Sequence, residues 1–132
     1  MKDYNKIKII ISDIDGVWTD GSVYKGTDNM EFKKFSVFDG VGVAYARAAD
    51  LKIAIISARY SKPVAYRLEG LGIKHYYQGQ SNKVAAYKEL LEKLDLSAHQ
   101  VAYVGDDVID LPVMSKVALP IAVANAHPFV KE

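Results

Sequence analysis

Continuous apolar runs alternate along the chain with longer stretches in which apolar positions recur every three or four residues. The runs "IKIIISDI" (7–14), "KIAIIS" (52–57), "KHYYQ" (74–78), "VAYVG" (101–105) and "VALPIAV" (117–123) predict strands. The first, second and fourth are almost wholly apolar, as strands covered on both faces are. Between them "GVGVAYARAAD" (40–50), "SKPVAYRLEGLG" (61–72), "NKVAAYKELLEKLD" (82–95) and "VIDLPVMSK" (108–116) predict helices. Asp39, Ser61 and Ser81 stand where N-caps belong, Pro63 falls in a first turn, and Gly70 or Gly72 ends its helix. One segment breaks the rhythm. "SVYKGTDNMEFKKFS" (22–36) has two short alternating stretches around Gly-Thr-Asp-Asn and predicts a β-hairpin protruding after the first strand. Strand and helix in alternation build βαβ units, so the expected fold class is a doubly wound α/β domain with a mainly parallel central sheet flanked by helices.

The 132 residues contain no repeat, low-complexity tract or linker, and are expected to form one domain, 1–132. Seventeen Lys and Arg against 16 Asp and Glu leave a net charge of +1. A dedicated binder of nucleic acid or of an anionic membrane needs a surface of one sign, so neither partner is expected. The absence of cysteine removes disulfides, thiolate catalysis and zinc–cysteine sites, and fits a cytoplasmic protein. The start, "MKDYNKIK", is followed by an apolar run too short for a signal peptide or a membrane span and broken by Asp13.

Right-handed crossovers bring the loops after parallel strands to one edge, where residues from different strands converge. Those loops hold Asp13 and Asp15 after the first strand, Ser57 after the second, and Asp106 and Asp107 after the fourth with Asp110 close by; Lys83 opens the third helix. Several carboxylates in one crevice repel each other unless a cation sits among them. Oxygen ligands without His or Cys favour magnesium, which takes a few carboxylates, water and phosphate. His75, His99 and His127 lack partners at metal-ligand spacing and are read as ordinary packing or surface residues. A hydroxyl (Ser57) and an ammonium (Lys83) on the opposite rim would hold phosphoryl oxygens. Asp13 is then a carboxylate nucleophile, Asp15 the acid and base, and Gly16 the turn that lets backbone approach metal or phosphate closely. Arg59 is read either as a ligand for a substrate carboxylate or as the partner of a surface acid.

The segments "DIDGVWTDG", "SAR", Lys83 at a helix start and "GDDVIDLPVM" resemble the four ordered motifs of the haloacid dehalogenase superfamily of phosphohydrolases. The resemblance implies Asp13 as nucleophile and magnesium ligand, Asp15 as general acid and base with its carbonyl on the metal, Ser57 and Lys83 on the transferring phosphoryl group, Asp106 as the remaining carboxylate ligand, and Asp107 and Asp110 as orienting groups. Within the superfamily, "DGVWTDG" before a hairpin, "FSVFDGVGV" and "GDDVIDLPVM" are similar to the capless phosphatases of 3-deoxy-D-manno-octulosonate 8-phosphate, enzymes of lipopolysaccharide precursor synthesis; the sialic-acid-type nonulosonate 9-phosphate phosphatases share most of these motifs. Three departures stand out. Phe38 occupies a position where that family often has Arg, Ser57-Ala58-Arg59 replaces Thr-Gly-Arg, and such relatives continue past "NAHPFVKE" into a Gly-containing tail that closes over a neighbouring site.

Only 41 residues lie between Asp15 and Ser57, and 25 between Ser57 and Lys83, so no cap domain is expected in either place. An aspartyl-phosphate enzyme still has to exclude water. The hairpin of a neighbouring subunit, with Tyr24 and Phe32 at its entrance, is the expected lid, and the resemblance implies a homotetramer with shared active sites. A different class fits part of the pattern, a receiver-like module that accepts phosphate on Asp without rapid turnover. Receivers lack an acid/base two residues after the nucleophile, so Asp15 separates the two.

Overall fold

The computed structural model describes residues 4–132; Met1–Asp3, the first part of the start in which no targeting segment is expected, lie outside the described residues. Five strands form a parallel sheet: β1 (Ile9–Ser12), β4 (Lys52–Ile56), β5 (His75–Tyr77), β6 (Val101–Gly105) and β7 (Leu119–Ala122), in the order β5-β4-β1-β6-β7. β1 lies at the centre, with β4 on one side and β6 on the other, and Ser12 registers with both Ile55 and Val104. The chain leaves β1 toward one neighbour and later crosses back to the other. A crevice therefore opens beyond the carboxyl ends of these three strands.

The apolar runs are explained by two cores. On one face Ile9, Ile11, Ala54, Ile56, Val101 and Tyr103 pack with Tyr87 and Leu90 of α3 (Lys83–Leu94) and Val113 of α4 (Leu111–Met114). On the other, Ile14 and Ile55 meet Val43 of α1 (Val37–Ala48) and Val64 and Leu68 of α2 (Lys62–Gly70). Burying each such side chain contributes about 2 kcal/mol against the entropy of ordering it. Ile9 and Ile11 of β1 fill the first core, Ile10 between them is half-buried, and Ile14 just beyond the strand joins the second.

The hairpin pairs β2 (Tyr24–Lys25) with β3 (Glu31–Phe32) in antiparallel register. Asp28 and Asn29 turn it in the left-handed region, at φ 59° and 63°, which Asp and Asn tolerate better than other side chains. Apart from this hairpin, only α1 and β4 lie between Asp15 and Ser57, and only α2 and β5 between Ser57 and Lys83.

Helix starts differ from the expected ones. α1 begins at Val37 rather than 40, because Ser36, extended at φ −91° and ψ 137°, accepts a hydrogen bond from Phe38 N at 3.1 Å. Asp39 is thus not a cap; it sits in the first turn, where a carboxylate meets the positive end of the helix. Asn82, not Ser81, caps α3 by accepting from Ala85 N at 3.2 Å. Ser61 holds the N-cap position of α2, but its hydroxyl donates to Glu31 at 2.6 Å instead of capping. The stretch 108–116 divides into a 3-10 turn, Val108–Asp110, and the single turn of α4. A short α5 (Pro128–Lys131), unforeseen in the sequence, follows β7.

Candidate active site

Asp13 is the first residue beyond β1 and is buried, with 6% of its surface exposed. Its Oδ1 accepts from Ile14 N at 2.7 Å and lies 3.1 Å from Lys83 Nζ. Lys83 is the first residue of α3, where the helix dipole opposes a cation, and it is nonetheless buried. Its charge is balanced from two sides, by Asp13 and by Asp110 at 2.7 Å. Asp110 is fully buried and also accepts from Tyr103 OH at 2.6 Å and from the backbone N–H groups of Asp106 and Asp107 at 3.1 and 3.3 Å. Four donors converge on this carboxylate, so it anchors the others. Burial first, and then the neighbouring Asp110, push the Tyr103 hydroxyl upward, keeping it a donor.

Burial raises the pKa of Asp13 to about 7, against the lowering pull of Lys83, and burial likewise raises Asp106. Oxygens of Asp13, Asp106 and Asp110 lie within 4.8 Å of one another. One further observation tests whether this set suits a cation. Asp106 Oδ1 is buried and has no hydrogen-bond partner. A buried, unpartnered carboxylate oxygen is costly unless something positive meets it, and these donors are hard oxygens. The residues present therefore fit a divalent metal ion. Gly16 completes the cradle, because at φ +86° a Cβ there would stand 1.8 Å from Asp106 Oδ2. The loop is held from behind by Asn125, whose amide donates to Gly16 O at 3.0 Å. Gly16→Ala is expected to displace Asp106 and weaken divalent-cation binding about 10- to 100-fold by calorimetry. Unchanged affinity would show that the close approach is irrelevant to the cation.

The hairpin reaches the same edge. Lys33 pairs with Asp15, and its side chain is only 1% exposed. Two residues earlier, Glu31 pairs with Arg59, lies 3.3 Å from Lys25 and accepts from Ser61. The Arg59 and Ser61 hydrogen bonds hold the Glu31 carboxyl down at about 2. Arg59, left open between two roles by its sequence, thus has a carboxylate partner on the hairpin. Ser57 is buried, with its hydroxyl donating to Arg59 O at 3.2 Å. Asp107 stands apart: it is exposed, and its carboxylate accepts from Val108 N at 2.7 Å at the start of the 3-10 turn. Behind Asp13, the Trp18 indole donates to Ser12 Oγ at 3.0 Å, and Ser12 Oγ donates to Asp13 O at 2.7 Å. Lys33, Glu31, Tyr103 and Asn125 were not singled out by sequence. Lys33 and Glu31 carried one available signal, their i, i+2 spacing on a predicted strand.

Residues 75–132 match the haloacid dehalogenase-like hydrolases. Over 130 residues the chain is 50% identical to the 3-deoxy-D-manno-octulosonate 8-phosphate phosphatase of Escherichia coli (strain B / BL21-DE3), covering 98% of this chain and 69% of that protein. The chain belongs to the haloacid dehalogenase-like phosphatases. The crystal structure of the octulosonate 8-phosphate phosphatase from Yersinia pestis superimposes on this phosphatase with a TM-score of 0.94 at 47% identity, over 97% of this chain and 69% of that one. The Moraxella catarrhalis enzyme, solved with magnesium ion, phosphate ion and KDO, gives 0.91 at 35% identity, over 96% and 75%. The expected mainly parallel, helix-flanked fold is the fold of these structures. The receiver-like alternative gives way to the phosphatase.

Proposed function

We propose that this phosphatase hydrolyses 3-deoxy-D-manno-octulosonate 8-phosphate through an aspartyl-phosphate on Asp13, with Mg2+ as its cofactor. The observation that carries the reading is the buried Asp13–Lys83–Asp110 array beside the unpartnered Asp106 oxygen, in a chain half identical to an enzyme of that name. Asp13 attacks phosphorus, and Lys83, held by Asp110, neutralises the phosphoryl oxygens as they gather charge. The Ser57 hydroxyl turns from Arg59 O to a phosphoryl oxygen. Asp15 protonates the leaving alkoxide and then takes a proton from the water that splits the intermediate. Asp13, Asp106 and the carbonyl of Asp15 would hold Mg2+, which when bound supplies further positive charge to the phosphoryl group. Asp110, saturated by four donors, orients Lys83, and Asp107 shapes the turn behind Asp106.

Residues 1–132 are read as one phosphatase domain with the hairpin, about 22–36, as its flap. Tyr24, Met30 and Phe32 on the hairpin are each at least half exposed, and Val37, Val41 and Tyr45 form an exposed stripe along α1. Apolar surface of this kind supports a homo-oligomer, here a homotetramer with shared active sites. No helix among the described residues is long and apolar enough to cross a membrane, and we place the enzyme in the cytoplasm. A nonulosonate 9-phosphate, whose phosphatases share most of these motifs, is the second substrate reading, and Phe38 leaves out one cation that octulosonate enzymes often carry. Phosphate release from a panel of sugar phosphates, with Mg2+ or with chelator, tests both. Fastest Mg2+-dependent release from the octulosonate ester is expected. Fastest release from the nonulosonate ester would move the substrate, and a fully active monomer in sedimentation velocity would end the shared-site reading.

A further inference from the structure

Glu31 and Lys33 are two apart on an extended segment, so their side chains face the same way, while Phe32 between them is 60% exposed. Both reach into the catalytic edge, Glu31 to the loop after β4 and Lys33 to the loop after β1. A lysine on a protruding hairpin ordinarily extends its ammonium into water. Lys33 does the opposite: it is almost completely buried and its contact is Asp15 Oδ1. Burying an ammonium against a single carboxylate costs more than an exposed pair would, so its placement calls for a role beyond fastening the hairpin.

Asp15 itself is about 30% exposed on its side chain. With Oδ1 engaged by Lys33, Oδ2 is the oxygen left to serve a substrate. We propose that Lys33 is a positioning residue that fixes the Asp15 carboxyl so that Oδ2 faces the leaving oxygen of the phosphomonoester. This rests on the phosphatase reading above, with Asp15 as its acid. In the first step a bond forms between an Asp13 oxygen and phosphorus, and the bond from phosphorus to the leaving oxygen breaks with its electron pair moving onto that oxygen. The proton of Asp15 Oδ2 passes to it. Asp15 is left as a carboxylate with Oδ1 still held by Lys33.

A latch that only secures the hairpin would affect all substrates alike, whereas a device that aims a proton matters most where the leaving group needs one. A sugar alkoxide needs protonation; p-nitrophenolate leaves without it. The value of kcat/KM reports events through formation of the phosphoenzyme, so the later use of Asp15 as a base drops out. The experiment compares kcat/KM for the best sugar phosphate of the panel and for p-nitrophenyl phosphate, in wild type, Lys33→Met, Lys33→Arg and Asp15→Asn, with circular dichroism melts alongside. The ratio of sugar to aryl kcat/KM is expected to fall by about 100-fold in Lys33→Met, to fall in Asp15→Asn, and to recover in large part in Lys33→Arg. A Lys33→Met ratio equal to wild type overturns the proposal, whether both rates drop together or neither does. A lowered ratio in Lys33→Met with none in Asp15→Asn also overturns it, since the lysine would then act other than through the acid. If Lys33→Met does not fold, Lys33→Gln against Lys33→Arg gives the same comparison.

Discussion

Asp13→Asn is expected to abolish turnover, by at least about 10⁴-fold in kcat, and at the same time to make the metal-free protein more stable at pH 8. Both effects come from one carboxyl. As the proposed nucleophile it has no substitute in the site, because Asp110 is saturated by four donors and Asp106 carries no bond to Lys83. As a buried acid its pKa is raised by desolvation to about 7, from 3.8 for an unperturbed side chain. The folded protein therefore binds this proton more tightly than the unfolded chain does. Its stabilising contribution is full below about pH 4, declines as pH rises toward 7, and is gone above that. Asn carries no such charge, so the variant should gain on wild type across that window by a few kcal/mol, on the order of 2. A divalent cation held by Asp13 would take the place of the proton in wild type and should reverse the order. Thermal melts at pH 4, 6 and 8, with chelator and with Mg2+, check this. A difference between the two proteins that does not change with pH would mean that Asp13 is ionised without strain in the folded state.

Asp110→Ala should be the most damaging change to the fold of the site. Removing this carboxylate takes the main partner from a buried ammonium, a phenol hydroxyl and two backbone N–H groups at once. Breaking a buried ion pair from one side costs about 3–5 kcal/mol, since the remaining charge is stranded. Lys83 would be left with Asp13 alone, so the nucleophile would be drawn into a tighter pair and lose reactivity. Urea unfolding gives the first quantity and phosphate release the second. Near-wild-type stability in Asp110→Ala would show that water or a rotated Lys83 replaces the anchor at little cost. Asp110→Asn should fall between, because an amide can still accept from one side but presents its own donors to the other.

Much of the site was readable because its parts lie where topology alone brings them together. Asp13, Ser57 and Asp106 each follow an apolar strand, and parallel strands with right-handed crossovers leave no other place for those loops. Lys83 was readable through its position at the start of a helix. Lys33 and Glu31 were not, because their partners lie 18 and 28 residues along the chain and their i, i+2 spacing alone does not set them apart from solvated hairpin charges. Asp107, read as an orienting group rather than a ligand, follows Asp106 directly in "GDD" and is exposed where Asp106 is half-buried, as a one-residue offset at a strand end reverses the direction of the side chain. The starts of α1 and α3 failed for a related reason, while Ser61 does hold the N-cap position of α2. Gly40 and Gly42 obscured the beginning of α1, which is decided by the backbone angles and hydroxyl of Ser36. At α2 a suitable cap residue was diverted to Glu31, a tertiary partner invisible to local pattern.

Trp18 is the only tryptophan in the chain, and its indole is joined through Ser12 to the carbonyl of Asp13. The chain thus carries a single indole fluorophore, joined to the strand end that bears Asp13. Emission excited in the indole band reports from that one place, without the averaging that several tryptophans impose. The proposed cation binding, phosphorylation of Asp13 and departure of product should each register as a change in the light from a side chain already present, in unlabelled protein and in real time.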